Sequence, residues 1–136
     1  MVGVSILMYE GKQRVFVYGT LRKGEENHGL LARARMLGTT KTDDGYTMID
    51  LGDYPAVISN GKNAVFGEVY EISEDMLKGV DELEECPDYY RRMLIATPYG
   101  NAWIYVLARL PDEYTCEISS GDWSEYRAWR DAIRNS

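Results

Sequence analysis

Histidine, cysteine and proline are scarce in this sequence, which has 1 histidine, 2 cysteines and 4 prolines among 136 residues. Cys86 and Cys116 are too few for a disulfide scaffold, and no CxxC or Cys/His cluster with metal spacing is present. The sequence therefore predicts no metal site, and this cysteine usage favours a reducing, cytoplasmic setting. Because His28 is the only histidine, a Ser/His/Asp triad would have to include it, and its place just after Asn27 favours a structural role at a helix start.

Basic side chains are outnumbered, with 15 against 22 acidic ones, which gives a net charge of -7. Nucleic acids and anionic membranes bind proteins through a basic surface, so neither is expected as a partner. Long hydrophobic runs are also missing. The first thirteen residues, MVGVSILMYEGKQ, include only a short apolar stretch, without a basic flank or a cleavage site. We expect residues 1–13 to form an N-terminal extension or an extra edge strand.

Short apolar runs bounded by turn residues make up most of the chain. They predict strands at 14–18, 36–42, 46–51, 56–59, 64–72, 92–97 and 102–107, with a hairpin turn at 99–101. Helices are predicted at 27–34, 73–85 and 124–133. The length suits one domain spanning 1–136. The pattern predicts the α+β class, with a small mixed β-barrel and two or three flanking helices.

The first strand ends abruptly in VFVYGTLRKG, where an apolar run breaks into Gly19, Thr20 and Leu21. The simpler interpretation is that Gly19 supplies a permissive backbone for a turn. The alternative is that the turn presents backbone N–H groups to a negatively charged ligand, as nests and helix N-termini do. The stretch by itself is consistent with both.

One acidic residue breaks the pattern of the second helix, SEDMLKGVDELEECP. At about 100° per residue, Glu84 falls on the same stripe as Leu77 and Val80, so its carboxylate is aimed inward. A buried carboxylate has a raised pKa and can accept and return a proton near neutral pH. The structural alternative is that Glu84, at the last turn, reaches water or pairs with Arg91 or Arg92.

Four segments in this order, VFVYGTLRKGEENHGLL, DYPAV, FGEVYEI and VDELEECPDYYRR, resemble the gamma-glutamylcyclotransferase-like superfamily. The resemblance extends from Arg14 to about Trp123 and is closest to the gamma-glutamylamine cyclotransferase branch and its small bacterial relatives. It implies a small β-barrel whose cavity opens where the first strand ends, with Glu84 as the acid/base. The residues that it implies for substrate binding are Tyr18, Gly19, Thr20, Leu21, Tyr54, Pro55, Tyr90 and Tyr105.

The chain also matches the family's Tyr-x-Arg at Tyr90 and Arg92, and it departs from the family at one position. Glu85 stands where a glycine often follows the catalytic glutamate. Some relatives of the amine-acting branch share this departure, so we interpret Glu85 as tolerated.

The reaction implied by the resemblance is the cyclisation of a gamma-glutamyl amine or amide to 5-oxoproline with release of the amine. It needs no cofactor, because the substrate carries its own nucleophile. The partner is then a small-molecule gamma-glutamyl compound. A non-catalytic binding module for gamma-glutamyl or amino-acid-like ligands is the alternative, and a hydrolase that uses Cys86 is a more distant one. We also expect the Tyr99 hairpin and the segment 112–120 to shape the cavity mouth.

Overall fold

The computed structural model describes residues 12–114 and 116–135. Most of the expected N-terminal extension, residues 1–11, lies outside this range, while its last two residues, Lys12 and Gln13, belong to the first strand. The strands and helices follow one another as β1 Lys12–Val17, a 3-10 helix His28–Leu31, β2 Arg35–Lys41, β3 Tyr46–Asp50, β4 Pro55–Asn63, β5 Phe66–Ser73, α1 Glu74–Leu83, β6 Tyr90–Thr97, β7 Gly100–Leu107 and α2 Trp123–Arg134.

The strands form two sheets, and the expected α+β class is confirmed. Five strands are hydrogen-bonded in the order β2-β5-β1-β7-β6, and β3 pairs with β4 in a second sheet. β1 lies antiparallel to β5 and parallel to β7. The larger sheet does not close on itself, so the word barrel describes the enclosing shape of the two sheets and not a continuous ring of hydrogen bonds.

β1 lies at the centre of the larger sheet and is buried on both faces. Val15 and Val17 pack into one hydrophobic cluster, and Phe16 and Tyr18 pack into the other. This double burial explains why β1 is a continuous apolar run and not an alternating one. Because β1 is the central strand, its C-terminal end and the turn that follows lie in the middle of the fold.

The two α-helices begin at the side chains that their sequences suggest. Ser73 accepts a hydrogen bond from the Met76 N–H at 3.1 Å, and Asp122 accepts one from the Glu125 N–H at 3.2 Å. Leu77 and Val80 are buried and anchor α1 in the core. Neither helix, nor any other in the described ranges, is long and apolar enough to cross a membrane.

Two local predictions differ from the structure. The first helix is only a short 3-10 turn, because the Asn27 side chain donates to Thr20 Oγ1 at 2.9 Å and forms no cap hydrogen bond. The hairpin turn lies one residue earlier than predicted, since Thr97 already pairs with Gly100 across it. The Tyr99 side chain extends from this turn to β2, where its hydroxyl donates to the Thr39 carbonyl at 3.3 Å.

Candidate active site

A cavity of about 590 Å³ opens where β1 ends. Its walls come from the β1 turn, the start of β4, the end of α1 and the strands β6 and β7. The lining includes all the residues that the sequence analysis proposed for the site, namely Tyr18, Gly19, Thr20, Leu21, Tyr54, Pro55, Glu84, Tyr90 and Tyr105. Residues separated by more than eighty positions in the sequence therefore surround one cavity. Neither Tyr99 nor the described part of 112–120 belongs to the lining, so the expectation that they shape the mouth was wrong.

The turn after β1 directs its carbonyl groups away from the cavity. The Gly19 carbonyl accepts from the Arg22 N–H at 3.0 Å, and the Thr20 carbonyl accepts from the Asn27 N–H at 2.8 Å. Because the N–H and C=O of a trans peptide point in opposite directions, the N–H groups of Thr20 and Leu21 point away from those partners. No acceptor within residues 12–114 and 116–135 is bonded to the N–H of Gly19, Thr20 or Leu21. Such unpaired N–H groups at a cavity wall can receive an anion.

A buried carboxylate holds this turn in place, and the sequence analysis missed it. Glu68 on β5 is 5% exposed, accepts from the Lys23 N–H at 2.8 Å and pairs with Arg22 at 3.4 Å. Arg22 continues to Asp122 at the start of α2, at 2.9 Å. The available signal was a lone acidic residue inside the apolar run FGEVYEI, which is unusual for a strand buried in a sheet.

Position 19 must be glycine because a side chain there would clash with Pro55 across the cavity. A Cβ on Gly19 would lie 2.9 Å from Pro55 Cγ, closer than carbon atoms normally approach. The sequence analysis attributed the glycine to a turn or to ligand approach, whereas the contact that excludes a side chain is with a cavity-lining proline. Gly19 therefore sets how closely the β1 turn and the start of β4 can approach each other.

Glu84 occupies the C-terminal end of α1 and faces the same cavity. Its backbone N–H bonds to the Val80 carbonyl at 2.9 Å, and its side chain is half-buried. In the part of the chain that the structure describes, no side chain forms a hydrogen bond or an ion pair with its carboxylate, including Arg91 and Arg92. Burial raises the pKa of Glu84 to about 7.

Tyrosine rings form the wall around Glu84, and their hydroxyl groups are already used. The Tyr18 hydroxyl donates to the Tyr105 carbonyl at 2.7 Å, and the Tyr90 hydroxyl donates to the Pro55 carbonyl at 3.0 Å. Burial, together with the nearby Glu84 charge, raises the pKa of both Tyr18 and Tyr90. These tyrosines therefore stay protonated and shape the cavity without exchanging protons.

The mouth carries a second tyrosine pair, of which only Tyr54 was predicted. Its hydroxyl lies 3.2 Å from that of Tyr89. Burial and the hydrogen bond with Tyr54 raise the pKa of Tyr89 to about 12. Tyr89 could have been proposed from the sequence, because it directly precedes Tyr90 in PDYYRR.

Arg92 acts behind the cavity wall and is absent from its lining. It pairs with Asp81 Oδ1 at 3.1 Å, and its guanidinium lies 4.4 Å from the centre of the Trp103 ring. The Tyr105 hydroxyl donates to the same Asp81 oxygen at 2.5 Å. Arg92 thus fixes Asp81, and Asp81 fixes Tyr105, so that the Tyr-x-Arg contributes one residue to the cavity and one to its support.

Comparison with known proteins gives a consistent assignment. Residues 15–125 match the family described as gamma-glutamyl cyclotransferase, AIG2-like. The chain belongs to this family. A Vibrio cholerae protein is 45% identical over 111 residues, which are 82% of this chain and 95% of that protein. The Escherichia coli K12 gamma-glutamylcyclotransferase family protein YtfP is 42% identical over 110 residues, 81% of this chain and 95% of YtfP.

A solved structure of this family has the same fold. The crystal structure of an AIG2-like protein from Mus musculus superimposes with a TM-score of 0.73 at 27% sequence identity. The superposition covers 83% of this chain and 88% of the mouse chain. The resemblance stated from the sequence motifs is thereby confirmed for both family and fold.

Glu85, where gamma-glutamylcyclotransferases often have glycine, adopts the backbone that favours glycine. Its φ of 51° is in the left-handed region, where a residue with a Cβ is less stable than glycine by roughly 1–2 kcal/mol. The residue after Glu84 therefore has a left-handed backbone although it is not glycine.

The remaining reactive groups lie apart from the cavity lining. His28 Nδ1 lies 2.9 Å from the Leu21 carbonyl oxygen, which fits the structural role expected of it. Cys86 packs against the hydrophobic core. No group of three His, Cys, Asp or Glu side chains within residues 12–114 and 116–135 is arranged to hold a metal ion.

Proposed function

We propose that this chain is a gamma-glutamylcyclotransferase that converts a gamma-glutamyl amine or amide to 5-oxoproline and releases the amine, with Glu84 as the general acid and base. The observation that carries the proposal is the unpaired, half-buried Glu84 carboxylate, whose pKa burial raises to about 7. A carboxyl group with this pKa exists in both protonation states at neutral pH, so it can accept a proton and return it.

The backbone of the β1 turn binds the acidic end of the substrate in this proposal. The N–H groups of Gly19, Thr20 and Leu21 are free of acceptors in the described chain and line the cavity. They receive the substrate α-carboxylate, and they stabilise the negative charge that grows on the γ-carbonyl oxygen. Fixed N–H groups need no reorganisation during the reaction, because Glu68 and Arg22 already hold the turn.

The chemistry is an intramolecular substitution at the γ-carbonyl carbon. Glu84 takes a proton from the α-ammonium group, and the resulting amine attacks the γ-carbonyl carbon to form the new C–N bond of a five-membered ring. The amide C–N bond then breaks as Glu84 delivers its proton to the departing nitrogen, and the extra proton left on the ring nitrogen passes through Glu84 to the released amine, which leaves as an ammonium ion. The nucleophile is tethered to its target, and tethering alone lowers the activation free energy by several kcal/mol.

The decisive experiment detects 5-oxoproline by mass spectrometry after the purified protein is incubated with gamma-glutamyl amines, gamma-glutamyl-lysine and gamma-glutamyl amino acids. Wild type should form 5-oxoproline. Glu84→Gln should fold and bind but react roughly 10²–10⁴-fold more slowly, because it cannot transfer a proton. Glu82→Gln is the matched control, since Glu82 is exposed on the same helix and lies outside the cavity lining.

Three outcomes would contradict this proposal. Equal rates for wild type and Glu84→Gln would remove Glu84 from the mechanism. Ligand binding without product from any substrate would favour the alternative, a non-catalytic module for gamma-glutamyl or amino-acid-like ligands. Thiol alkylation of Cys86 should leave turnover intact, and a complete loss of activity on alkylation would instead favour a cysteine hydrolase.

A further inference from the structure

The cavity is lined by acidic side chains without a basic counterpart. Its lining contains Glu26, Asp53, Glu84 and Glu85, and no lysine, arginine or histidine among the described residues. Glu84 is half-buried, whereas the other three are exposed. Glu26, Asp53 and Glu85 come from three different segments of the chain, and they meet only at the mouth of this cavity.

None of these three acidic groups has a basic partner in the described chain. Within the described ranges, no ion pair or side-chain hydrogen bond involves the carboxylates of Glu26, Asp53 or Glu85. The residue next to Glu26 shows the contrast, because Glu25 pairs with Arg127 at 2.9 Å. Pairing with arginine is thus available in this chain, and the mouth lacks it.

We infer that the cavity prefers gamma-glutamyl amides whose leaving amine carries a positive charge, such as an ω-aminoalkyl amine, over amides whose leaving group is neutral or carries a carboxylate. The inference rests on the proposed function and adds the chemical class of the leaving group. Glu26, Asp53 and Glu85 are the specificity-determining residues, and they act on the part of the substrate that projects to the mouth.

The turn and the mouth divide the substrate charges between them. The free N–H groups of Gly19, Thr20 and Leu21 accept one anion, the α-carboxylate that all gamma-glutamyl compounds share. A second carboxylate on the leaving group would meet no basic side chain in the lining and would face three acidic ones. An ammonium group at the same place would be attracted by all three of them.

Exposed charges interact weakly one at a time, so the preference comes from their sum. Exposed ion pairs are each worth about 0.2–1 kcal/mol, or roughly 1.4- to 5-fold in an equilibrium constant. Three carboxylates that each attract the cation and repel the anion therefore predict a cation-over-anion ratio of at least about sevenfold in kcat/KM at low salt. Because salt screens exposed charges, the ratio should shrink severalfold at an ionic strength of about 0.5 M.

The test compares three gamma-glutamyl amides that are similar in length and differ in terminal charge. Their leaving amines are 1,5-diaminopentane, pentylamine and 5-aminopentanoate, which end in an ammonium group, a methyl group and a carboxylate. Formation of 5-oxoproline is followed at low and high salt. We expect the order cation, neutral, anion for kcat/KM, with the difference mainly in KM.

A charge-neutral variant and a matched control assign the preference to the mouth. Glu26→Gln/Asp53→Asn/Glu85→Gln should reduce the cation-over-anion ratio to within about threefold of one. Asp43→Asn/Asp44→Asn/Glu113→Gln removes the same net charge from exposed positions outside the lining and should keep the wild-type ratio. The control separates local charge from the effect of the net charge of -7.

The outcomes distinguish failure of this inference from failure of the proposed function. Similar kcat/KM values for all three amides at low salt, or a preference for the carboxylate, would overturn the inference and leave the cyclotransferase activity in place. A preference that survives in the mouth variant would overturn the assignment of the three residues. No 5-oxoproline from any of the three amides would overturn the proposed function and this inference with it.

Discussion

Asp50 and Glu84 are both withdrawn from water, yet their surroundings differ. Asp50, at the end of β3, is 0% exposed and accepts hydrogen bonds from Tyr126 at 2.7 Å, from the Gly52 N–H at 2.7 Å and from Arg130 at 3.0 Å. Burial acts to raise the pKa of Asp50, but these hydrogen bonds overcome it and hold that pKa below its ordinary value. Glu84 has burial without partners, and its pKa is raised to about 7.

The difference shows that partners, and not burial, decide what an inward carboxylate does. Asp50 keeps its charge and joins α2 to the β3–β4 sheet through Arg130. Its role is structural, because a group that is ionised at all ordinary pH values transfers no protons. Glu84 is unpaired at a cavity wall, so its ionised form is destabilised and the carboxyl group can exchange a proton near neutral pH.

The largest effect on stability is expected when the ion pair between Asp50 and Arg130 is broken. Asp50→Asn removes the buried counter-charge of the Arg130 guanidinium, whose side chain is 11% exposed, and leaves it only the more exposed Asp131. Such changes typically reduce the free energy of unfolding by about 3–5 kcal/mol, and urea denaturation at pH 7 measures it. The difference should narrow as pH falls through the lowered pKa of Asp50, because protonated Asp50 no longer pairs.

Asp131→Asn is the control for that experiment. Asp131 also contacts Arg130, at 3.0 Å, but its side chain is 38% exposed. We expect a change below about 1 kcal/mol, as for other exposed ion pairs. Equal effects of the two substitutions would mean that the buried ion pair of Asp50 contributes no more to stability than the exposed ion pair of Asp131.

At Glu84, in contrast, removal of the charge is expected to stabilise the protein. Its folded-state pKa is raised, so above pH 7 the folded protein must hold an ionised, desolvated carboxylate that the unfolded chain solvates freely. Glu84→Gln removes this penalty and should stabilise the protein by roughly 2–3 kcal/mol at pH 8 and by almost nothing at pH 4, where both states are protonated. Urea denaturation at the two pH values tests this, and loss of stability at pH 8 would show that the carboxylate has a hidden partner.

The pH dependence of turnover sharpens the same comparison. If Glu84 is the base, kcat/KM should fall about tenfold per pH unit below a midpoint near pH 7, because only the ionised carboxylate accepts the α-ammonium proton. Initial rates from pH 5 to 8 locate this midpoint. A nearly constant kcat/KM over this range would place the midpoint near the ordinary glutamate pKa of 4.5 and indicate that Glu84 is solvated like a surface residue.

The smallest effect concerns the residue after Glu84. Glu85→Gly places glycine at φ 51° and should raise the free energy of unfolding by about 0.5–1 kcal/mol, since relief of the left-handed strain exceeds the extra entropy of the unfolded chain. Thermal or urea denaturation measures the change. A loss of stability would mean that contacts of the Glu85 side chain outweigh its backbone strain.

Several features of the site were predictable because they depend on local patterns. The helical period placed Glu84 among apolar residues, and the break after the apolar run located the turn at Gly19. The family resemblance supplied Tyr54, Pro55, Tyr90 and Tyr105, and the cavity includes all four. Glu68 was not found, because one acidic residue in a strand does not reveal which N–H groups it meets.

The sequence by itself determined the class of fold, the order of strands and helices, the family, and part of the cavity lining, because periodicity, turn residues and motifs act over short distances along the chain. Only the tertiary structure decided which carboxylates are paired. Asp50 and Arg130 are far apart in sequence and meet at 3.0 Å, while Glu84 and the acidic mouth meet no basic group in the described chain. Charge pairing depends on distances between remote segments, and those distances exist only after the chain has folded.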